Sequence, residues 1–334
     1  MLLVVIGHYI YHGVKPNMDL QPYYQFNSFI GIINWFTMEA LYSISTIAVN
    51  CFVMISGFFL IEKTSLRWSG ILKIWLQTVF YCFLFLVVAI LIDRPIGGVD
   101  FFSNLLPIQG RKYWFVSIYM GLMVIAPFLS IMAQRLTKRQ YQVMLGILLI
   151  MNFQFLYGYL FGGHSSLFWF VFLYLMAGYI KLYGLPRRVV DNKGLIVLLL
   201  WGIIIAGSLV ISIIRGRGQL ISADYHGPMF FLSLSVFIYF SNTPMQGRLV
   251  DLLVRFAPYT FAVYLIHAHP FWQGMIWKTL IPVAYTIPMA LHCLLSSLAI
   301  FVVCILIDIL RNVFFLRLHI PQLITSICKK LPQL

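Results

Sequence analysis

Apolar runs long enough to approach or exceed the ~30 Å of a bilayer's hydrocarbon layer, at ~1.5 Å per helical residue, recur along the whole chain. They predict helices over 1–14, 43–61, 69–92, 113–133, 141–157, 167–184, 195–214, 227–243, 256–275 and 286–310. The longest connections, 15–42, 93–112 and 215–226, carry turn residues such as Pro16, Pro22, Pro95, Gly97, Gly98 and Gly110. No internal repeat, low-complexity tract or soluble module interrupts the pattern. It predicts an all-α, polytopic membrane bundle of about ten spans, forming a single domain over 1–334. The first run is short, since its residues reach only ~21 Å as a helix. That helix therefore reads as truncated, or as continuing upstream of Met1.

Composition agrees with the pattern. Of 334 residues, 61% are hydrophobic and 10% charged, with mean hydropathy +0.92, whereas a soluble chain carries ~25% charged residues. The net charge of +14 does not indicate a nucleic-acid partner, because the basic residues fall in connections between apolar runs. With the N-terminus inside, 16 Lys and Arg fall in cytoplasmic connections and 7 in outer ones. That bias predicts a multi-pass plasma-membrane protein with both termini cytoplasmic. No signal-peptide pattern opens the chain. The five cysteines, Cys51, Cys82, Cys293, Cys304 and Cys328, show no paired spacing, so neither a disulfide framework nor a metal site is expected.

A few polar groups stand out against this apolar background. His8 lies inside the first run with His12 four residues on, on the same helical face. Such a histidine is either a packed imidazole with a satisfied hydrogen bond or a functional group, because an ionisable side chain in hydrocarbon is costly. Ser56 and Gly57 let another backbone approach closely or touch a substrate. Tyr113 and Trp114 follow the basic pair Arg111 and Lys112, as an aromatic belt or a sugar-stacking platform. Tyr264 and His267 sit in the ninth run; His267 and His269 fall on different helical faces, a poor metal edge. Glu39 and Asp224 read as solvated loop carboxylates, and Asp308 as interfacial.

These residues recur in a known arrangement. The chain resembles the membrane acyltransferase 3 family, in particular its polysaccharide O-acetyltransferases. The resemblance rests on Val4-Val5-Ile6-Gly7-His8, on Ala48-Val49-Asn50-Cys51-Phe52 running into Ile55-Ser56-Gly57-Phe58-Phe59-Leu60, on Tyr113-Trp114-Phe115-Val116 with Pro127-Phe128-Leu129, and on Phe261-Ala262-Val263-Tyr264-Leu265-Ile266-His267. It implies transfer of an acyl group, usually acetyl, from cytoplasmic acyl-CoA to a hydroxyl of a cell-surface glycan or its lipid-linked precursor. Acyl-CoA is then a donor substrate, with no tightly bound cofactor, and His8 is the general base. Candidate substrate contacts are Ser56, Tyr113, Trp114, Tyr264 and His267, of which Ser56, Tyr113 and Tyr264 are candidate oxyanion donors. Arg67 and Lys73 are the leading CoA contacts, with Arg135 and Arg139 as further cations. Two departures stand out: the family's first-helix arginine would fall before Met1, and its basic pair after the second helix falls near Gly70 and Lys73, with Arg67 as a substitute. A glycan-lipid transporter or flippase, or an inactive acyltransferase-like protein, are the alternatives; a transporter predicts paired helix breaks in two related halves, and none is evident.

Overall fold

A computed structural model describes residues 1–16, 28–93, 95–152, 166–215, 227–284 and 288–332. Pro22, Arg94, Arg217, Asp224 and the end of the fifth predicted run lie outside them. Every regular element among the described residues is helical. In chain order these are α1 (Leu2–His8), extended by a π-helical turn over Tyr9–Val14, α2 (Phe29–Leu60), α3 (Trp68–Leu91), α4 (Gly98–Leu105) and α5 (Trp114–Arg135). Then follow α6 (Lys138–Asn152), α7 (Leu167–Tyr183), α8 (Arg187–Asp191), α9 (Lys193–Arg215) and α10 (Gly227–Ser241). The chain ends with α11 (Arg248–Phe256), α12 (Thr260–His267), α13 (Pro270–Ala284), α14 (Met289–Arg317) and α15 (Ile320–Lys330). Among the described residues, six helical stretches are long and apolar enough to cross a membrane: α2, α3, α5, α9, α11 with α12, and α14. Leu2–Val14, α7 and α10 are shorter apolar helices.

Among the boundaries that differ from the sequence reading, two move polar groups that the sequence singled out. Residues 29–42, expected in a connection, are helical. The turn residues that suggested a connection, Pro16 and Pro22, precede α2, which contains no proline, and Thr37 folds its hydroxyl back onto the Ile33 carbonyl at 3.0 Å. Glu39 is consequently not a solvated loop carboxylate. It is fully buried and accepts a 2.7 Å hydrogen bond from the Ser208 hydroxyl. The ninth span also shifts, to Arg248–His267. Ala268 and His269 form a turn, and Pro270, which has no N–H to donate, opens α13.

The chain divides into two compact units, each built from discontinuous segments. The first comprises Met1–Phe52, Leu185–Thr260 and Gln273–Val303. Its larger core joins Tyr9, Trp35, Met38, Tyr42, Trp277, Ile281 and Cys293. Asn50 donates to the Ser233 hydroxyl at 3.1 Å and Trp201 to the Ser43 hydroxyl at 2.9 Å, so polar side chains on α2, α9 and α10 satisfy one another where lipid could not.

The second unit comprises Val53–Gly184, Phe261–Trp272 and Cys304–Leu334. Here α2 and α7 are notched together. A Cβ on Gly57 would lie 2.3 Å from the Tyr174 carbonyl oxygen, and one on Gly178 would lie 2.6 Å from Ile61 Cγ1. This is the close backbone approach that Ser56-Gly57 suggested. Carbonyls ending α2 are orphaned by helix geometry. Ser130 and Gln134 of α5 meet them, donating to Leu60 at 3.1 Å and Ile61 at 2.8 Å. Asp308 departs from expectation: it is fully buried rather than interfacial. It accepts from Gln77 at 3.0 Å, Tyr81 at 2.7 Å and Arg311 in bidentate fashion at 2.5 and 3.0 Å. Four donors on one carboxylate explain how a charge stays in this position.

Candidate active site

The second unit contains a cavity of about 390 Å³ between the end of α2, the start of α3 and the middle of α5. Its walls divide by chemistry. Lys63, Arg67 and Lys73 line it with exposed side chains. Ile55, Ile71, Ile74, Met123 and Pro127 supply apolar surface. Ser56 and Tyr119 are buried and share a hydrogen bond of 2.9 Å. The local sequence produces this arrangement: the segment between α2 and α3 is held at its start by Ser130 and Gln134, and Trp68 fixes the start of α3 by donating to the Pro332 carbonyl at 2.8 Å.

Of the residues singled out in the sequence, the cavity gathers Ser56, Arg67 and Lys73, together with Gly70. Arg135 and Arg139 are not among its walls. Among the lining residues that were not picked out are Lys63, counted only as a connection charge, and Tyr119, just beyond the Tyr113-Trp114 motif.

Tyr113, Tyr264, Trp114 and His267 do not line this cavity; they belong to an aromatic group in the same unit that reaches its Tyr119 wall through Phe115. Tyr113 precedes α5, is buried, and donates its hydroxyl proton to the Leu265 carbonyl at 2.5 Å. To serve an oxyanion it would have to give up that bond. Its ring lies 5.6 Å from that of Tyr264, while half-buried Trp114 meets Phe170 edge-on at 6.4 Å. His267 is fully buried and directs Nδ1 at the Val263 carbonyl. A carbonyl can only accept, so Nδ1 carries the proton.

In the first unit, His8 closes α1 and the helix loosens into the π-helical turn directly after it. Such turns concentrate at functional sites. Both neighbours of His8 are fixed. A Cβ on Gly7 would reach 3.0 Å from Ser45 Oγ, and the Tyr9 hydroxyl bonds His292 Nδ1 at 2.7 Å. His8 and His12 are both half-buried and meet edge-on with ring centroids 5.2 Å apart. His292 escaped notice in the sequence because a single histidine in a long apolar run carries no spacing signal.

A family model described as an acyltransferase domain matches residues 1–309. The chain belongs to the membrane acyltransferase 3 family. No curated protein and no solved structure matches it. Membership makes this a membrane protein of an acyltransferase family, and the match runs through the first-helix histidine, the walls of the basic cavity and the buried aromatic group alike. Among the described residues no cluster of His, Cys, Asp or Glu could hold a metal ion.

Proposed function

We propose that the protein transfers an acyl group, acetyl in the first instance, from acyl-CoA to a hydroxyl of a surface polysaccharide or its lipid-linked precursor. The reaction takes place in the plasma membrane, with both termini cytoplasmic. The observation that carries this reading is the graded cavity of the second unit, with exposed Lys63, Arg67 and Lys73, apolar walls, and the buried Ser56–Tyr119 pair. The nucleotide end of CoA is polyanionic and suits the cations. Its uncharged pantetheine arm suits the apolar wall. A hydroxyl pair out of water is a fitting donor toward charge developing on a thioester oxygen.

His8 takes the role of general base. An alcohol is a poor nucleophile at neutral pH, and an imidazole titrating near pH 6.5 can accept its proton as it attacks, an effect typically worth ~10²–10⁴-fold. Replacing Arg67 and Lys73 together by glutamine should raise the KM for acetyl-CoA about tenfold or more, as expected for two lost charge-assisted bonds. The acceptor KM should hardly change. Assays in inside-out and right-side-out vesicles also fix the side of entry. A double variant with wild-type donor KM, or donor use only from the outer face, would refute the assignment.

A further inference from the structure

A second cavity of about 120 Å³ lies in the same unit at the other end of α3. The basic cavity uses α3 residues up to Ile74, and this one uses residues from Phe85 onward. Eleven residues of helix separate them, a rise of ~16 Å. On a membrane-spanning helix the two cavities therefore lie toward opposite ends, about half the ~30 Å hydrocarbon thickness apart.

The smaller cavity is lined by Phe85, Phe271 and several aliphatic and proline residues, and by four polar ones, Asp100, Asn104, Lys112 and His269. His269 is 2% exposed and Asn104 5%; the Lys112 side chain is 8% exposed, against 69% for Asp100. The hydrogen bonds set each proton. The Phe271 N–H donates to His269 Nδ1 at 3.2 Å, so Nε2 bears the ring hydrogen and donates to Asn104 Oδ1 at 3.1 Å. Asn104 Nδ2 donates to the Asp100 carbonyl at 2.7 Å, and Lys112 Nζ to Asp100 Oδ1 at 3.1 Å and Ser103 Oγ at 3.4 Å. Among the described residues, this leaves one N–H on the Asn104 amide, one on Lys112 and the second oxygen of Asp100 available. The cavity thus offers neutral and charged donors, an acceptor and two aromatic walls. Its volume holds several water molecules, which suits one hydroxyl-bearing edge of a sugar ring.

We propose that this cavity is a recognition subsite for a saccharide unit of the acceptor, reached from the membrane face opposite the acyl donor. The proposal rests on the acyl-transfer reading above. In that reaction the acceptor oxygen forms the ester bond, the thioester C–S bond breaks, and the hydroxyl proton passes by way of a base to the leaving sulfur, so that CoA departs as the thiol. The subsite takes part in none of these steps; it holds the chain on which they occur.

The test uses full-length protein in membranes and after purification in detergent. The probe is a set of oligosaccharides released from the producing cells' own surface glycan and de-O-acetylated with mild alkali. Asn104→Ala and Lys112→Gln should each raise the oligosaccharide KM about tenfold, the equivalent of one hydrogen bond, and leave the KM for acetyl-CoA unchanged. His269→Asn guards against misfolding, since its amide oxygen can still accept the Phe271 N–H while the bond to Asn104 is lost; it should raise the same KM. Oligosaccharide binding to the purified protein, read from quenching of Trp272, whose ring lies 5.9 Å from Phe85, is followed without any donor. If the acyl-transfer reading fails, binding still weakens in the three variants. Binding and acceptor KM within twofold of wild type in all three would overturn the subsite.

Discussion

Gly57→Ala provides the sharpest test of how the donor cavity is built. The new methyl would lie 2.3 Å from the Tyr174 carbonyl oxygen and 2.8–2.9 Å from its Cα and carbonyl carbon. Ordinary contact begins near 3.4 Å, so α2 and α7 must separate by about 1 Å, because a backbone cannot rotate away as a side chain can. Overpacking of this kind costs about 1–3 kcal/mol, and a backbone obstacle places it at the upper end. The helix-propensity gain of alanine over glycine, about 1 kcal/mol, opposes it. The net loss is about 2 kcal/mol, a fall of several degrees in Tm for a chain of this size.

Gly70→Ala is the matched control. Gly70 also lies in a helix and lines the same cavity, but nothing stands within 4 Å of its new methyl. It should melt at or slightly above wild type. Thermal unfolding of the two purified variants in one detergent separates packing from propensity. Because Ser56 adjoins Gly57, the shift should also stretch its 2.9 Å bond to Tyr119 and raise the donor KM. A Gly57→Ala protein that melts with wild type would refute the notch between α2 and α7.

Further outcomes follow from buried charge and from histidine. Asp308→Asn strands the Arg311 guanidinium and should destabilise by about 3–5 kcal/mol, whereas Asp308→Leu with Arg311→Leu should lose much less; equal melting curves for the two would argue against a coupled pair. His8→Ala should abolish acylation with expression and insertion intact, and His12→Ala should be milder; near-normal product from the His8→Ala protein would remove His8 from the mechanism. Burial first, then the Lys112 charge, holds the His269 imidazole down at about 3, against a raising influence from Asp100. The unfolded chain takes up a proton below about 6.5 that the folded one does not, so stability falls as pH drops, by up to about 2 kcal/mol at pH 5. His269→Gln should flatten the change in Tm between pH 7 and 5, and an unchanged slope would count against it.

The membrane class and most spans are legible in the sequence because hydropathy is additive over a window. The start of α2 is not, because the decision there belongs to partners far along the chain. Glu39 looks like a loop residue until the Ser208 hydroxyl, far along the chain, is seen to donate to it. Asp308 repeats the lesson: its donors Gln77 and Tyr81 lie over two hundred residues away. A lone carboxylate in an apolar run states a cost, and the sequence does not show what offsets it.

The candidate site poses the opposite difficulty, since the sequence offers too many cations. All 16 Lys and Arg on the predicted inner side satisfy the positive-inside bias equally, and that bias would exist without any ligand. The structure separates them by what lies behind them. Arg67, Lys73 and Lys63 stand before apolar walls that lead to buried hydroxyls, whereas Arg135 and Arg139 do not border that cavity. A charge that serves only topology can stand anywhere in its connection, but one that holds an anion must stand where the rest of the ligand has somewhere to go. Moving a basic residue within the 61–67 segment at constant charge should therefore leave membrane orientation unchanged while donor affinity falls. Equal donor affinity after such a move would return these cations to topology alone.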